Sequence, residues 1–111
     1  MDISVRKVGE VTVVDLTGPL KLGGAELAFR EAIEGLLESG VLTIAVNLSG
    51  VSFLDSSGIG SIVRCHKTAT ERSGKLILYA PSKMVKHTLK MVSLDKVMNL
   101  FEDETSALAE A

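Results

Sequence analysis

The residue types that could carry chemistry in this 111-residue chain stand together in one short segment, Asp55-Ser56-Ser57-Gly58. An Asp that precedes a helix can accept hydrogen bonds from the first free N–H groups, and its charge is favoured at the positive end of the helix dipole. We therefore predict that Asp55 caps a helix by accepting from Ser57 or Gly58. That geometry holds the Ser56 hydroxyl outward in the first turn, where a modifying enzyme could reach it.

The alternative chemistry for this segment is that of a serine hydrolase, in which a serine acts as nucleophile. The chain also contains two possible bases for it, His66 and His87. His66 lies ten residues after Ser56 on the same predicted helix, about 15 Å away at 1.5 Å per residue. The G-x-S-x-G elbow is absent. The spacing in the sequence does not exclude His87 as the base. The complete arrangement of nucleophile, base and orienting residue that a hydrolase requires is missing, however, so we expect no catalytic residue and no enzymatic activity.

Cofactor and metal sites are weakly supported. Gly58-Ile59-Gly60 matches the opening of a dinucleotide fingerprint, but Val63 occupies the third glycine position and no Asp or Glu occurs between residues 75 and 94. The glycine pair is instead predicted to permit close helix packing. Cys65 is the only cysteine and, with two histidines, provides too few ligands for a structural zinc site. We expect a reducing environment, no cofactor, no metal, and a buried Cys65.

The first half of the chain predicts the elements that position this segment. Apolar and polar residues roughly alternate over residues 3–8 and 11–16 around Gly9-Glu10, which predicts a β-hairpin. Residues 25–39 carry apolar side chains at three- and four-residue steps and precede Gly40, which predicts a helix. Residues 41–48 are mostly apolar or β-branched at successive positions, as expected for a strand covered on both faces and central in the sheet.

The second half continues the alternation of helices and strands. A helix follows the serine segment, with Ile59, Ile62, Val63 and His66 at helical spacing, and ends at Ser73-Gly74. Residues 75–79 predict a second buried strand. Pro81-Ser82 opens a helix whose predicted common face comprises Val85, Thr88, Leu89 and Val92. Residues 97–101 can return to the sheet, and the tail from residue 103 predicts a short helix.

These elements predict one α/β domain over residues 1–111, with about four helices and a mixed sheet in which an antiparallel hairpin joins parallel strands. Hydrophobic residues make up 46% of the chain and charged residues 23%, as in folded globular proteins. No run of Lys or Arg could neutralise several phosphates, which argues against nucleic acid as a partner. Neither a signal peptide nor ~20 apolar residues in sequence are found, which argues against a membrane. Met84 and Met91 fit either an adaptable contact surface or core filler.

Residues 46–60, VNLSGVSFLDSSGIG, resemble the signature of STAS domains, especially of bacterial anti-sigma factor antagonists. The resemblance covers nearly the whole chain, including the opening hairpin and the turns at Gly18 and Gly74. It implies a cytoplasmic protein, monomeric when free, that binds a serine kinase that is also an anti-sigma factor and so releases the sigma factor. Phosphorylation of the serine directly after the Asp, here Ser56, ends that binding, and a serine phosphatase restores it. Ser57 is the second candidate for the modification.

One loop departs from the pattern of many such antagonists. They carry an acidic residue and then a hydroxyl residue after the glycine that follows the second strand, whereas this chain has Lys21 and Gly24 at these places. The resemblance implies that the partner-binding surface combines this loop with the serine segment, and its residues are Lys21, Gly24, Asp55, Ser56, Ser57 and Gly58. A constitutive, unphosphorylated scaffold in another signalling or transport complex, such as chemosensory or secretion signalling, stays open as the alternative.

Overall fold

The chain opens with two antiparallel strands, Asp2–Val8 (β1) and Val11–Thr17 (β2). The turn between them contains Gly9, whose φ of +63° is readily adopted by glycine. The predicted hairpin is therefore confirmed. The computed structural model describes all residues 1–111.

Helices and parallel strands alternate through the rest of the chain. They are α1 (Gly24–Glu38), β3 (Thr43–Gly50), α2 (Ser56–Glu71), β4 (Lys75–Tyr79), α3 (Lys83–Met91), β5 (Asn99–Phe101) and α4 (Glu104–Glu110), with a 3-10 turn at Leu94–Lys96 before β5. The strands lie in the order β1-β2-β3-β4-β5, and every pair after the hairpin is parallel. The predicted α/β class, mixed sheet and central position of β3 are confirmed.

The main hydrophobic core lies between one face of the sheet and three helices. Alternate residues of β2, β3 and β4 point into it, because side chains of a strand alternate between faces. The helices contribute residues one turn apart, namely Phe29, Ile33 and Leu37 from α1, Ile62, Cys65 and Ala69 from α2, and Val85 and Leu89 from α3. The predicted burial of Cys65 is confirmed. Packing in this layer positions α1, α2 and α3 on the sheet, and therefore also positions the loops that precede them.

The opposite face of the sheet is covered by α4 and held by a polar network. Arg6 donates to Asp15 at 2.8 Å and forms an ion pair with Glu104, while the Tyr79 hydroxyl donates to Glu104 at 2.6 Å. Asn47 donates to the second oxygen of Asp15 at 2.8 Å. These donors lower the pKa of Asp15 and of Glu104, with the Arg6 hydrogen bond the largest cause in both. The network ties four strands to the last helix.

Several sequence-based boundaries and faces need correction. The third strand starts at Thr43 and ends at Gly50, two residues later at each end than predicted. Val63 is 43% exposed, because Ile62 and its neighbours one turn away form the buried face of α2. Val92 is 49% exposed, since α3 ends at Met91 and the chain turns at Ser93, which has a left-handed φ of +60°. The last strand begins at Asn99, two residues later than predicted, because Val97 and Met98 both donate back to the carbonyl of Leu94 and so complete the turn that follows the 3-10 segment.

The two methionines of α3 lie on the protein surface. Met84 is 60% exposed and Met91 72% exposed. The interpretation of these residues as core filler is therefore wrong, and the contact-surface interpretation is the one their positions allow.

The two glycines at the start of α2 have different environments. A Cβ on Gly58 would lie 2.2 Å from the backbone oxygen of Leu20, whereas a Cβ on Gly60 would meet no atom within 4 Å. The prediction that glycine permits close packing is thus confirmed for Gly58 and wrong for Gly60, which is exposed.

This contrast predicts opposite effects of two similar substitutions. Gly58→Ala should lower the free energy of unfolding by about 1 to 3 kcal/mol, because the new methyl group overlaps a backbone atom that cannot rotate away. Gly60→Ala should raise it by up to about 1 kcal/mol through better helix propensity. Urea unfolding of both variants gives the comparison, and equal effects would contradict the close contact at Gly58.

Candidate functional site

The serine turn, residues 55–58, connects β3 to α2 and is fixed by the carboxylate of Asp55. Asp55 is the N-cap of α2, with extended backbone angles, and its Oδ1 accepts from the N–H of Gly58 at 2.8 Å. Its Oδ2 accepts from the N–H of Leu22 at 3.0 Å. One side chain therefore caps the helix and holds a loop 33 residues earlier in the chain.

That loop, residues 18–23, lies along the segment that leads into the serine turn. Gly18 N–H donates to the carbonyl of Gly50 and Leu20 N–H to that of Phe53, both at 2.9 Å. The Leu20 side chain is fully buried in the hydrophobic core, which anchors the loop to the rest of the domain. Lys21 and its neighbours are consequently held beside the serine turn on the surface.

The predicted site residues differ in exposure. Ser56 is the first residue of α2 and is exposed, whereas Ser57 and Asp55 are half-buried. Lys21 and Gly24 are exposed in the neighbouring loop and at the start of α1. Gly58 is buried against Leu20, so it lies beneath this surface and is not accessible to a partner.

The backbone donors also determine the charge of the turn. Hydrogen bonds from Leu22, the largest cause, and from Gly58 lower the pKa of Asp55 below its ordinary value of 3.8. A folded-state pKa below the unfolded value means that the bonds stabilise the fold above about pH 4 and are lost as the pH falls through the lowered pKa. At neutral pH the turn therefore carries one full negative charge directly before Ser56.

A shallow groove of about 290 Å³ continues from the serine turn between α1 and α2. Ser57 and Leu22 lie at its end near the turn, and Glu26 crosses it to accept a hydrogen bond from the Ser61 hydroxyl. The guanidinium of Arg30 lies 3.2 Å from Glu26, so the groove has mixed charge. These polar contacts tie the start of α2 to α1.

Sequence reasoning missed the apolar flanks of the site. Leu22 is 73% exposed and Phe53 is 45% exposed, and both belong to the two segments that these backbone hydrogen bonds join. Two large apolar side chains kept in water beside a polar turn are typical of contact surfaces. The only available signal was their position next to the serine segment, because neither belongs to a periodic pattern.

The histidines lie on other parts of the structure. His66 is half-buried in α2, more than two turns after Ser56, and His87 is exposed on α3. No group of three or more His, Cys, Asp and Glu side chains is placed to hold a metal ion. None of the helices has the length and apolar character required to cross a bilayer.

Comparison with known proteins connects this geometry to a family. Residues 2–107 match the family model of the STAS domain. The chain belongs to the STAS domain family. The match includes the loop 18–23, the serine turn and all five strands, so the site lies wholly within the STAS domain.

The similar STAS proteins include named anti-sigma factor antagonists. The anti-sigma F factor antagonist of Paenibacillus polymyxa is 27% identical over 100 residues, which cover 90% of this chain and 86% of that protein. The structure of the anti-sigma factor antagonist SpoIIAA in its unphosphorylated form aligns with a TM-score of 0.73 and 28% identity, over 97% of this chain and 94% of that one. The phosphorylated form of the Bacillus cell fate determinant SpoIIAA aligns with a TM-score of 0.74 and 25% identity, over 98% of both chains.

The double hydrogen bonding of Asp55 predicts a selective effect of Asp55→Asn. An amide side chain has one acceptor oxygen, so it can keep the bond to Gly58 or the bond to Leu22, but not both. We expect the helix cap to be kept, because Asn is also a favoured N-cap residue, and the loop to be released. Hydrogen exchange at neutral pH should then become about tenfold faster at Leu22 and stay nearly unchanged at Gly58.

Asp55→Ala is the matched control for this experiment, because it removes both acceptors. Exchange should then become faster at Gly58 as well as at Leu22. Equal protection of Leu22 in the wild type and in Asp55→Asn would contradict a role for Asp55 in holding the loop.

Proposed function

We propose that this STAS protein is a non-enzymatic anti-sigma factor antagonist that is regulated by phosphorylation of Ser56. Its unphosphorylated form binds a serine kinase that is also the anti-sigma factor, phosphorylation ends the binding, and a serine phosphatase restores it. The observation that carries the proposal is the exposed hydroxyl of Ser56 at the first position of α2, beside the charged Asp55 cap. The antagonists among its relatives support the same class of partner.

The proposed setting is a single STAS domain over residues 1–111 that is monomeric when free and acts in the cytoplasm. The contact surface consists of the exposed part of the serine turn together with Lys21 and Gly24. Leu22 and Phe53 add the apolar area, since buried apolar side chains near the centre of an interface commonly supply most of its binding energy. Ser57 is the second candidate for phosphorylation, but it is half-buried at the end of the groove.

The effect of the phosphate follows from the charges already present. It would add about −1.5 to −2 charges next to Asp55, whose carboxylate already occupies the Gly58 and Leu22 donors. Free N–H groups and the helix dipole offset part of this repulsion, so the fold itself should tolerate the group. At a packed interface an uncompensated charge commonly costs about 2 to 5 kcal/mol, which corresponds to at least about thirtyfold weaker binding.

The first test is phosphorylation and its effect on binding. Incubation with the partner kinase and ATP should add one phosphate, which mass spectrometry places at Ser56. Ser56→Ala should abolish the modification and keep the affinity within about threefold, whereas Ser56→Asp should weaken binding about tenfold or more, because only the Asp variant adds negative charge.

Ser57→Ala and Ser57→Asp are the matched controls, since they change the neighbouring hydroxyl. Modification that persists in Ser56→Ala would assign the phosphate elsewhere. Equal affinities for the wild type, Ser56→Ala and Ser56→Asp would favour the constitutive scaffold, which the departures at Lys21 and Gly24 make the second candidate.

A second test concerns Lys21, whose position beside the serine turn suits it to select an acidic partner surface. Lys21→Asp should weaken binding about fivefold at low salt and much less at high salt, because exposed charges are screened. Lys7→Asp makes the same charge change on exposed β1, away from the site, and should have no effect. Unchanged affinity and salt dependence in Lys21→Asp would show that the loop does not select the partner.

A further inference from the structure

The outward half of α3 carries two adjacent stripes of side chains, all of them exposed except for the half-buried Thr88. One is basic and the other is largely apolar, each with residues at positions i, i+4 and i+7 of the helix. They are Lys83, His87 and Lys90 in the first and Met84, Thr88 and Met91 in the second. The inward half of the helix contributes Val85 and Leu89, which are buried in the core.

The apolar stripe is unusual for the solvent side of an amphipathic helix, which is normally polar. Met84 and Met91 are 60% and 72% exposed, two helical turns and about 10 Å apart. The hydroxyl of Thr88, between them, donates to the carbonyl of Met84 and so presents no free donor to the stripe. Methionine side chains are flexible and polarizable, and they commonly serve as adaptable binding surfaces.

The basic stripe lacks partners within the chain. Lys83 and Lys90 form no ion pair, while Lys86, at the edge of the stripe, pairs with Glu102. The adjoining 3-10 turn contributes one carboxylate, Asp95, and one further cation, Lys96. The chain has no Asp or Glu from residue 75 to residue 94, although its net charge is −2. Positive charge is thus concentrated on α3 against the sign of the whole protein.

We propose that the outward half of α3 is a docking surface for an acidic amphipathic segment of a partner protein. Aliphatic side chains of that segment would pack on Met84 and Met91, and its carboxylates would pair with Lys83 and Lys90. This surface lies outside the serine turn, so its occupation does not depend on the phosphorylation state of Ser56. The proposal therefore adds a second interaction to the one at the serine turn.

Charge and size favour a protein segment over an anionic membrane. Helices that lie in the membrane interface need an apolar face along much of their length, and they are strengthened by general electrostatic attraction to anionic lipid. Here the apolar stripe contains two large residues on a nine-residue helix, and the whole chain is negative. Local complementarity to a matched acidic segment uses both stripes without requiring that the whole protein be attracted.

The test titrates the 15N-labelled full chain with a synthetic helical peptide that carries Leu at i, i+4 and i+7 and Glu beside each Leu. NMR shifts should be confined to residues 83–92. The matched peptide with Gln in place of Glu should bind about tenfold more weakly, since it lacks the charges that pair with lysine. Lys83→Glu combined with Lys90→Glu should weaken binding of the acidic peptide to a similar extent, and so should Met84→Ser combined with Met91→Ser.

The control variant is Lys7→Glu combined with Lys67→Glu, which makes the same charge change at exposed positions of β1 and α2. It should keep the peptide affinity within about twofold, and so should Ser56→Asp, which separates this proposal from that for the serine turn. No binding at millimolar peptide, or shifts outside residues 83–92, would overturn the proposal. It would also be overturned if phosphatidylglycerol vesicles bound α3 and the peptide did not, or if α3 shifted with protein concentration alone, which would indicate a second copy.

Discussion

The carboxylate of Asp55 is the contact on which the geometry of the site depends. Its two oxygens accept from two backbone N–H groups that are distant in sequence, one at the start of α2 and one in the loop 18–23. Because a carboxylate is planar and rigid, the positions of these two segments are coupled. The close approach of Gly58 to Leu20 supplies the second constraint, and together they hold the loop that contains Lys21 beside the serine turn.

Local sequence signals predict the helices and strands well, and they also predict the start of α2. The hairpin, the central strand and the preference of Asp for the position before a helix all depend on neighbouring residues, so they can be seen in the chain itself. The hydrogen bond from Leu22 to Asp55 joins residues 33 apart, and no local pattern encodes it. The exposure of Val63 and of Phe53 likewise depends on which neighbouring segments cover them, and this is decided only when the chain has folded.

The two faces of the sheet are covered by different elements. Its α4 side is occupied by a polar network around Arg6 and Glu104, which involves neither serine nor any residue of the loop 18–23. The two proposed contact surfaces, at the serine turn and on α3, belong to elements that pack on the other face. Because α2 and α3 pack into one core, both surfaces are presented by a rigid layer, and binding at either would not require that layer to open.

The buried Cys65 has a practical consequence for measurement. Its side chain is fully enclosed, and burial raises the pKa of the thiol to about 12, so almost none of it is thiolate at neutral pH. Maleimide dyes and spin labels react through the thiolate and need access to it. The chain therefore already behaves as a cysteine-free background, and a cysteine introduced on its surface would be the single point of attachment for a fluorophore that reports distance.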